Sequence, residues 1–290
     1  MSEALAMLRR VVLQEDLNFL LTNRIPRRLA TQLMARFSKL ESRRLTKLSV
    51  ALWRLFAPDL ALDEAKQREF TSLHEVFIRE LRDGARPVDP DPAALVSPCD
   101  AMVGAFGRVD GDQVVQAKGF PYTLMDLLGD PALVDRHRDG HYITLRLRSS
   151  MYHRFHAPVD CAVRRVVYVS GDTWNVNPIA LKRVEKLFCK NERAILELEP
   201  RWPGTAVTMV PIAAILVAGI RFRFLAAPLD LSHHGRTDFA CDVALDKGAE
   251  MGHFQSGSTI ILFTSGGFEF CPAVRTGATV RAGQRLMRCT

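Results

Sequence analysis

Two spacings of apolar residues divide the chain. In the N-terminal third the period is helical. Leu29, Leu33, Phe37 and Leu40 recur three or four apart after Pro26, which suits a first helical turn. Leu45, Leu48, Leu52 and Leu55-Phe56 form a second stripe, with Trp53 beside it. Ser72-Leu-His-Glu-Val-Phe-Ile-Arg-Glu-Leu81 forms a third, and Ser72 with Glu75 has the spacing of a capping box. Helical structure is therefore predicted up to about Arg86. The proline-rich Arg86-Pro-Val-Asp-Pro-Asp-Pro92 ends it and reads as a linker.

Beyond this point short β-branched and aromatic runs alternate with Gly, Pro and Asp. They predict strands at Leu95-Val-Ser97, Met102 to Phe106, His141 to Leu147, Ala162 to Val169, Ala194 to Leu198, Ile260 to Phe263 and Thr279-Val280. One short helix, Pro121 to Leu128, interrupts them. The expected fold is α+β: a helical N-terminal segment, residues 1–86, on a mostly antiparallel β-sheet core, residues 87–290. No solenoid period or low-complexity tract is present.

At 290 residues with 48% hydrophobic content, the chain can bury one substantial core. Its uncharged stretch from Trp202 to Ile220 contains Pro203, Gly204, Pro211 and Gly219, so it reads as two buried strands around a turn rather than a membrane span. Gln14, Glu15, Asp16 and Asn18 interrupt the apolar run from Val11 to Leu21, so no signal peptide is expected. The six cysteines form no Cys-x-x-Cys pair, which argues against a zinc or redox site and for reduced thiols.

The formal charge of +7 favours an anionic partner. Between Arg24 and Leu48 lie Arg24, Arg27, Arg28, Arg36, Lys39, Arg43, Arg44 and Lys47, against the single acid Glu41. A basic helix with an apolar stripe suits the headgroup region of an anionic bilayer; it can equally pack its stripe on its own core. Nucleic acid is not expected, because no helix-turn-helix, RNP or zinc-finger pattern accompanies the charge.

Three places carry candidate chemistry. Lys247-Gly-Ala-Glu-Met-Gly-His-Phe-Gln-Ser-Gly-Ser-Thr259 ends in a Gly257-Ser258 step that runs into the apolar Ile260-Ile-Leu-Phe263. This step can be an ordinary turn. It can also rearrange: the Ser258 hydroxyl attacks the Gly257 carbonyl, an ester replaces the amide, and β-elimination and hydrolysis leave a pyruvoyl group. Glycine suits that attack because it lacks a Cβ and tolerates strained backbone. A serine needs a base near pH 7, and a base needs an orienting group. Tyr152-His153-Arg154-Phe155-His156-Ala157-Pro158 supplies two histidines three apart. A metal pair is the competing reading, but no further ligand pattern is evident and no metal is expected. Ser97-Pro98-Cys99-Asp100-Ala101 contains an aspartate that by itself is one turn residue among many.

Together these segments resemble the phosphatidylserine decarboxylase family, and the match runs from about residue 25 to 287. Lys247-Gly248, Glu250-Met251-Gly252, Phe254 and Gly257-Ser258-Thr259 are similar to its processing site, with Ser256 in place of the usual leucine. The histidine string is similar to Tyr-His-Arg-x-His-x-Pro, with Met151 where an aspartate is common. Ser97 to Ala101 resembles Ser-Pro-x-Asp-Gly. Further similar segments are Ile25-Pro-Arg-Arg-Leu29, Arg44 to Leu48, Phe77 to Val88, Ala117 to Gly129 and Asn191-Glu192-Arg193, the last with no role assigned.

The resemblance implies a pyruvoyl enzyme of phospholipid biosynthesis. It would be made as a zymogen and cleaved between Gly257 and Ser258 into a β chain (1–257) and an α chain (258–290) that stay associated. Asp100, His156 and Ser258 would form the maturation triad, with Ser258 becoming the pyruvoyl cofactor. The amine of phosphatidylserine would join it as a Schiff base, and His153 would act on the substrate. The expected location is the cytoplasmic face of the cell membrane, peripherally bound, as a homo-oligomer. Two other classes fit less of the sequence. A serine hydrolase would want a Gly-x-Ser-x-Gly elbow, which is absent. A lipoyl-type carrier, faintly suggested by Asp246-Lys247-Gly248 and Gly277 to Leu286, leaves both the histidine string and Gly-Ser-Thr unexplained.

Overall fold

The computed structural model describes residues 14–117, 120–215, 219–226, 229, 235–255 and 258–290. The predicted turn residue Gly257, the neighbouring Ser256 and Lys118-Gly119 lie outside them. The fold is α+β, as expected. An eight-stranded sheet is its backbone, in the order Arg236–Leu245, Cys161–Val169, Arg193–Pro200, Val207–Ala213, Ser258–Thr264, His141–Leu147, Ala101–Arg108 and Thr279–Val280. Every pairing in it is antiparallel.

Strand Ser258–Thr264 sits inside the sheet, with Ser258 opposite Ala213 on one side and Leu147 on the other. All seven of its residues are buried. Alternation sends Ser258, Ile260 and Leu262 to one face and Thr259, Ile261 and Phe263 to the other. Ile261 and Phe263 pack with Leu124, Leu127, Leu187 and Phe188 of short helices. Ile260 and Leu262 pack with Phe155, Phe222 and Phe254 of a second, three-stranded sheet, ordered Ile220–Phe222, Glu250–Phe254, Arg154–His156. The face that bears Ser258 is thus covered by the sheet that carries the histidine string. A third sheet joins Ala94–Val96, Arg285–Cys289 and Phe268–Phe270.

The N-terminal helices are α1 (Glu15–Asn23), α2 (Arg27–Ser38), α3 (Arg43–Phe56) and α4 (Leu73–Phe77). The third apolar stripe forms only the single short α4. Ser72 caps it by accepting from the Glu75 N–H, while the Glu75 carboxylate takes the Thr71 N–H rather than closing a capping box. Beyond Phe77 the chain turns out of the helix because tertiary partners claim it: the Ile78 carbonyl accepts from Arg154, and Leu81 pairs with Ala65. The proline-rich segment 86–92 is fastened to the core rather than loose. Arg86 binds Asp100 and Glu64, Asp89 binds Arg285, and the Asp89 N–H donates to the Gly283 carbonyl.

Helices α1 to α3 point their polar side inward. Their buried residues are Asn23, Thr31 and Thr46, and Thr46 donates to the Thr71 carbonyl. Leu29, Leu33, Phe37, Leu40, Leu48 and Leu52 of the two predicted stripes are exposed, Leu48 at 69%. No helix among the described residues is long and apolar enough to cross a membrane.

The histidine-bearing sheet depends on a close approach at Gly252. A Cβ there would stand 2.1 Å from the Arg221 carbonyl oxygen. Gly252→Ala is expected to lower stability by about 1–3 kcal/mol through this overlap. Gly266→Ala, where the nearest atom would be 3.9 Å away, should stay within about 0.5 kcal/mol. Denaturant unfolding in a Ser258→Ala background, which keeps one chain, measures both.

Candidate active site

Ser258 is fully buried, and its hydroxyl has no hydrogen-bond partner among the described residues. A buried hydroxyl normally finds one. This one opens a central strand and in the sequence directly follows Gly257. The site residues therefore fit a serine kept available for attack.

The two histidines lie along Arg154–His156 and the turn before it, beside Glu250–Phe254. His156 is opposite Glu250, and the Phe254 N–H donates to the His153 carbonyl at 3.0 Å. His156 is engaged at both nitrogens: Nδ1 is 2.9 Å from the Gly248 carbonyl oxygen and Nε2 is 3.0 Å from the Tyr152 hydroxyl. A carbonyl can only accept, so Nδ1 carries the proton and Nε2 accepts from Tyr152. Burial lowers the His156 pKa, while the Gly248 carbonyl and the charges of Glu250 and Asp100 act the other way.

Asp100 is buried near His156; the His156 N–H donates to the carbonyl of Pro98, two residues before it. The Asp100 carboxylate does not hold the imidazole directly. Its oxygens accept from Arg86 Nε and Nη2 at 2.7 and 2.5 Å and from the Ala282 N–H at 2.9 Å. The orienting hydrogen bond expected from Asp100 thus comes from the Gly248 carbonyl. Asp100, His156 and Ser258 are not linked by mutual hydrogen bonds.

His153 is fully buried, and neither ring nitrogen has a hydrogen-bond partner among the described residues. Its ring lies 4.0 Å from that of Phe77, which stacks in turn on Trp53 of α3 at 5.9 Å. Burial holds the His153 pKa down to about 3, helped by the positive charge of Arg79, with the Met151 backbone pulling weakly upward. His153 is therefore neutral at pH 7 in this closed arrangement.

Asn191 and Arg193 are held by backbone groups. Asn191 donates to the Trp174 and Ala213 carbonyls and accepts from the Trp174 N–H. Arg193 donates to the carbonyls of Leu127 and Cys189. No group of three or more His, Cys, Asp or Glu among the described residues could hold a metal ion. The cysteines are free. Sequence reasoning missed Tyr152, Arg86, Phe77 and the Gly248 carbonyl. All four stood inside segments that were singled out, but their contacts are tertiary and no local pattern records them.

Comparison with known proteins places the chain among its relatives. The sequence pattern of the phosphatidylserine decarboxylase family matches residues 73–288. Among curated relatives, the phosphatidylserine decarboxylase proenzyme of Actinobacillus pleuropneumoniae serotype 3 is 36% identical over 227 residues, 76% of each chain. The proenzyme of Vibrio cholerae O395 is 34% identical over 275 residues, 90% of this chain and 94% of its own. That of Vibrio campbellii is 34% identical over 265 residues, 87% and 92%. These matches cover most of the chain, which belongs to the phosphatidylserine decarboxylase family. It is an enzyme that decarboxylates phosphatidylserine.

The buried neutral His153 gives a pH signature. Its pKa is lowered by folding, from an ordinary value near 6.5 to about 3. Its contribution to stability is complete above about pH 6.5 and is lost as pH falls from there toward 3, because only the unfolded chain takes the proton readily. At pH 5 the loss should be about 2 kcal/mol relative to pH 7.5. Denaturant unfolding of the single-chain Ser258→Ala protein, with and without His153→Gln, should show a shallower pH dependence in the variant.

Proposed function

We propose that the chain is a zymogen that cleaves itself between Gly257 and Ser258, and that the 33-residue fragment from 258 to 290 then carries the pyruvoyl group used for decarboxylation. The observation that carries this reading is the unpartnered, fully buried Ser258 hydroxyl at the head of a central strand. The relatives' designation as proenzymes supports it. Ser258 Oγ attacks the Gly257 carbonyl carbon, the peptide N–C bond breaks as the ester forms, and elimination of the Gly257 carboxylate leaves a dehydroalanine that water converts to pyruvoyl and ammonia.

His156 is the base for this step. Its neutral Nε2 accepts protons, but Tyr152 occupies it, so the Tyr152 hydrogen bond must break or pass the proton on. Asp100 acts at longer range, stabilising the imidazolium through charge while Arg86 holds its carboxylate.

The pyruvoyl group supplies Schiff-base chemistry: a carbonyl for the substrate's amine and a sink for the electron pair released with CO2. His153 returns the proton to the substrate carbon. It is neutral while closed in, and an anionic headgroup beside it would raise its pKa toward the range where it can carry that proton.

The exposed leucines of α2 and α3 make these helices the docking surface for an anionic bilayer, on the cytoplasmic face, where basic residues meet acidic lipid. Arg27 is set apart from this task. It pairs with Asp172 at 2.5 Å and covers the Trp174 ring at 3.8 Å, fastening α2 to the core. Arg28 binds the Gly171 carbonyl. Docking charge falls instead to exposed Arg36, Lys39, Arg44 and Lys47. Trp53 of α3 stacks on Phe77 of α4, so a helix that meets the lipid backs the one that closes over His153.

On a denaturing gel the purified protein should run as two chains, and Ser258→Ala as one inactive chain. His156→Ala and Asp100→Asn should slow cleavage, on the order of 10³–10⁴-fold for the base. His153→Ala should cleave yet decarboxylate poorly; normal turnover by it would remove His153 from the reaction.

Changing Arg36, Lys39, Arg44 and Lys47 to Ser should weaken co-sedimentation with phosphatidylserine vesicles, as should added salt, at about 1 kcal/mol per charge. Self-cleavage should be retained. Salt-independent binding would place the docking surface elsewhere, and a change in oligomer size in place of vesicle binding would show that a second copy covers the leucines.

A further inference from the structure

Arginines around the core differ in how their charge is met. Arg86 is paired with Asp100 and Glu64, and Arg154 with Glu250 and Glu80. Arg193 is without a carboxylate but spends its guanidinium on carbonyls, those of Leu127, Cys189, Asn191 and Asp126. Arg79 is different from all three. It is 4% exposed, Nη1 donates to the Val76 carbonyl at 3.2 Å and Nη2 to the Ser150 carbonyl at 3.1 Å, and Nε has no partner. Among the described residues no carboxylate lies within ion-pair distance of it, and the two acids whose charge it feels, Asp100 and Glu64, are both held by Arg86.

A buried guanidinium with an idle donor and no counter-charge is unfavourable unless a ligand completes it. Arg79 lies two residues beyond Phe77, whose ring covers His153, and its Nη2 bond reaches the turn that leads into Tyr152-His153. It therefore stands at the histidine assigned to the substrate, not at the base assigned to maturation.

We propose that Arg79 is the residue that receives the phosphodiester of the substrate headgroup. The proposal rests on the decarboxylase reading above. Phosphatidylserine offers two anions, and the chemistry selects between them. A guanidinium clamped on the carboxylate would stabilise the ground state from which charge must leave as CO2 departs, whereas the phosphate keeps its charge throughout the reaction. Arginine is suited to such an oxyanion because its planar fork presents several donors at once. Neutralising Arg79 would also lift the charge that disfavours protonated His153, linking headgroup binding to the proton that His153 must carry.

The test uses processed wild-type enzyme, Arg79→Gln and Arg79→Lys with dihexanoyl phosphatidylserine, a soluble substrate that does not depend on membrane docking. Both variants should self-cleave. KM should rise about 10- to 100-fold in Arg79→Gln, the loss expected for one charge-assisted contact, with kcat changed far less and Arg79→Lys intermediate. Inhibition by dihexanoyl phosphatidylethanolamine and phosphatidic acid, which keep the phosphate and lack the carboxylate, should weaken by a similar factor. A raised KM with unchanged inhibition by those two lipids would assign Arg79 to the carboxylate and overturn the proposal. An unchanged KM, or failure of both variants to fold and cleave, would also overturn it, the latter by making Arg79 structural. Absence of turnover by the processed wild type would instead refute the decarboxylase reading itself.

Discussion

The structure depends on the burial of strand Ser258–Thr264 in the middle of the eight-stranded sheet. Both of its edges are paired and all seven residues are inaccessible. A chain cut just before such a strand keeps every ladder bond and apolar contact that the strand makes, so the new terminus stays where the hydroxyl was. The segment after it reinforces this. Residues 268–270 and 285–289 build two strands of the third sheet, and 279–280 closes an edge of the large one. Hydrogen bonding and burial across two sheets can replace one covalent bond, which is what a two-chain enzyme made from one precursor would require.

The same strand sets the layering of the active site. Its alternation turns Ser258 toward the small sheet that bears His153 and His156, while Ile261 and Phe263 fill the opposite core. Over that small sheet lie Phe77 and then Trp53. From the exposed leucines of α3 inward come Trp53, Phe77 and His153. This arrangement puts α3, whose leucines are exposed, one ring away from α4, which covers His153.

Much of this was legible in the sequence. Short β-branched and aromatic runs between Gly, Pro and Asp marked His141–Leu147 and Thr279–Val280 to the residue, and Cys161–Val169 within one. The buried run after Ser258 marked a central strand. The strand Arg236–Leu245 was not recognised because it is an edge strand, with no fully buried residue and with Asp238 and Asp242 in its run. The helical stripes were legible as stripes, but their direction was not. Only the packed fold shows that Thr31 and Thr46 face inward and the leucines outward. At the site, residue types and local spacing picked out Ser258, His153 and His156. The hold of Arg86 on Asp100 and of the Gly248 carbonyl on His156 joins positions 14 and 92 apart in the chain, which no local pattern records.

The central claim is that Ser258 becomes the atom group to which substrate is joined. Reductive trapping tests it most directly. Processed enzyme is incubated with dihexanoyl phosphatidylserine and cyanoborohydride, and the fragment masses are measured. The account predicts one substrate-derived adduct on the 258–290 fragment, at its first residue, with activity lost in proportion. An adduct confined to a lysine, or full turnover by enzyme whose 258–290 fragment stays unmodified, would contradict it.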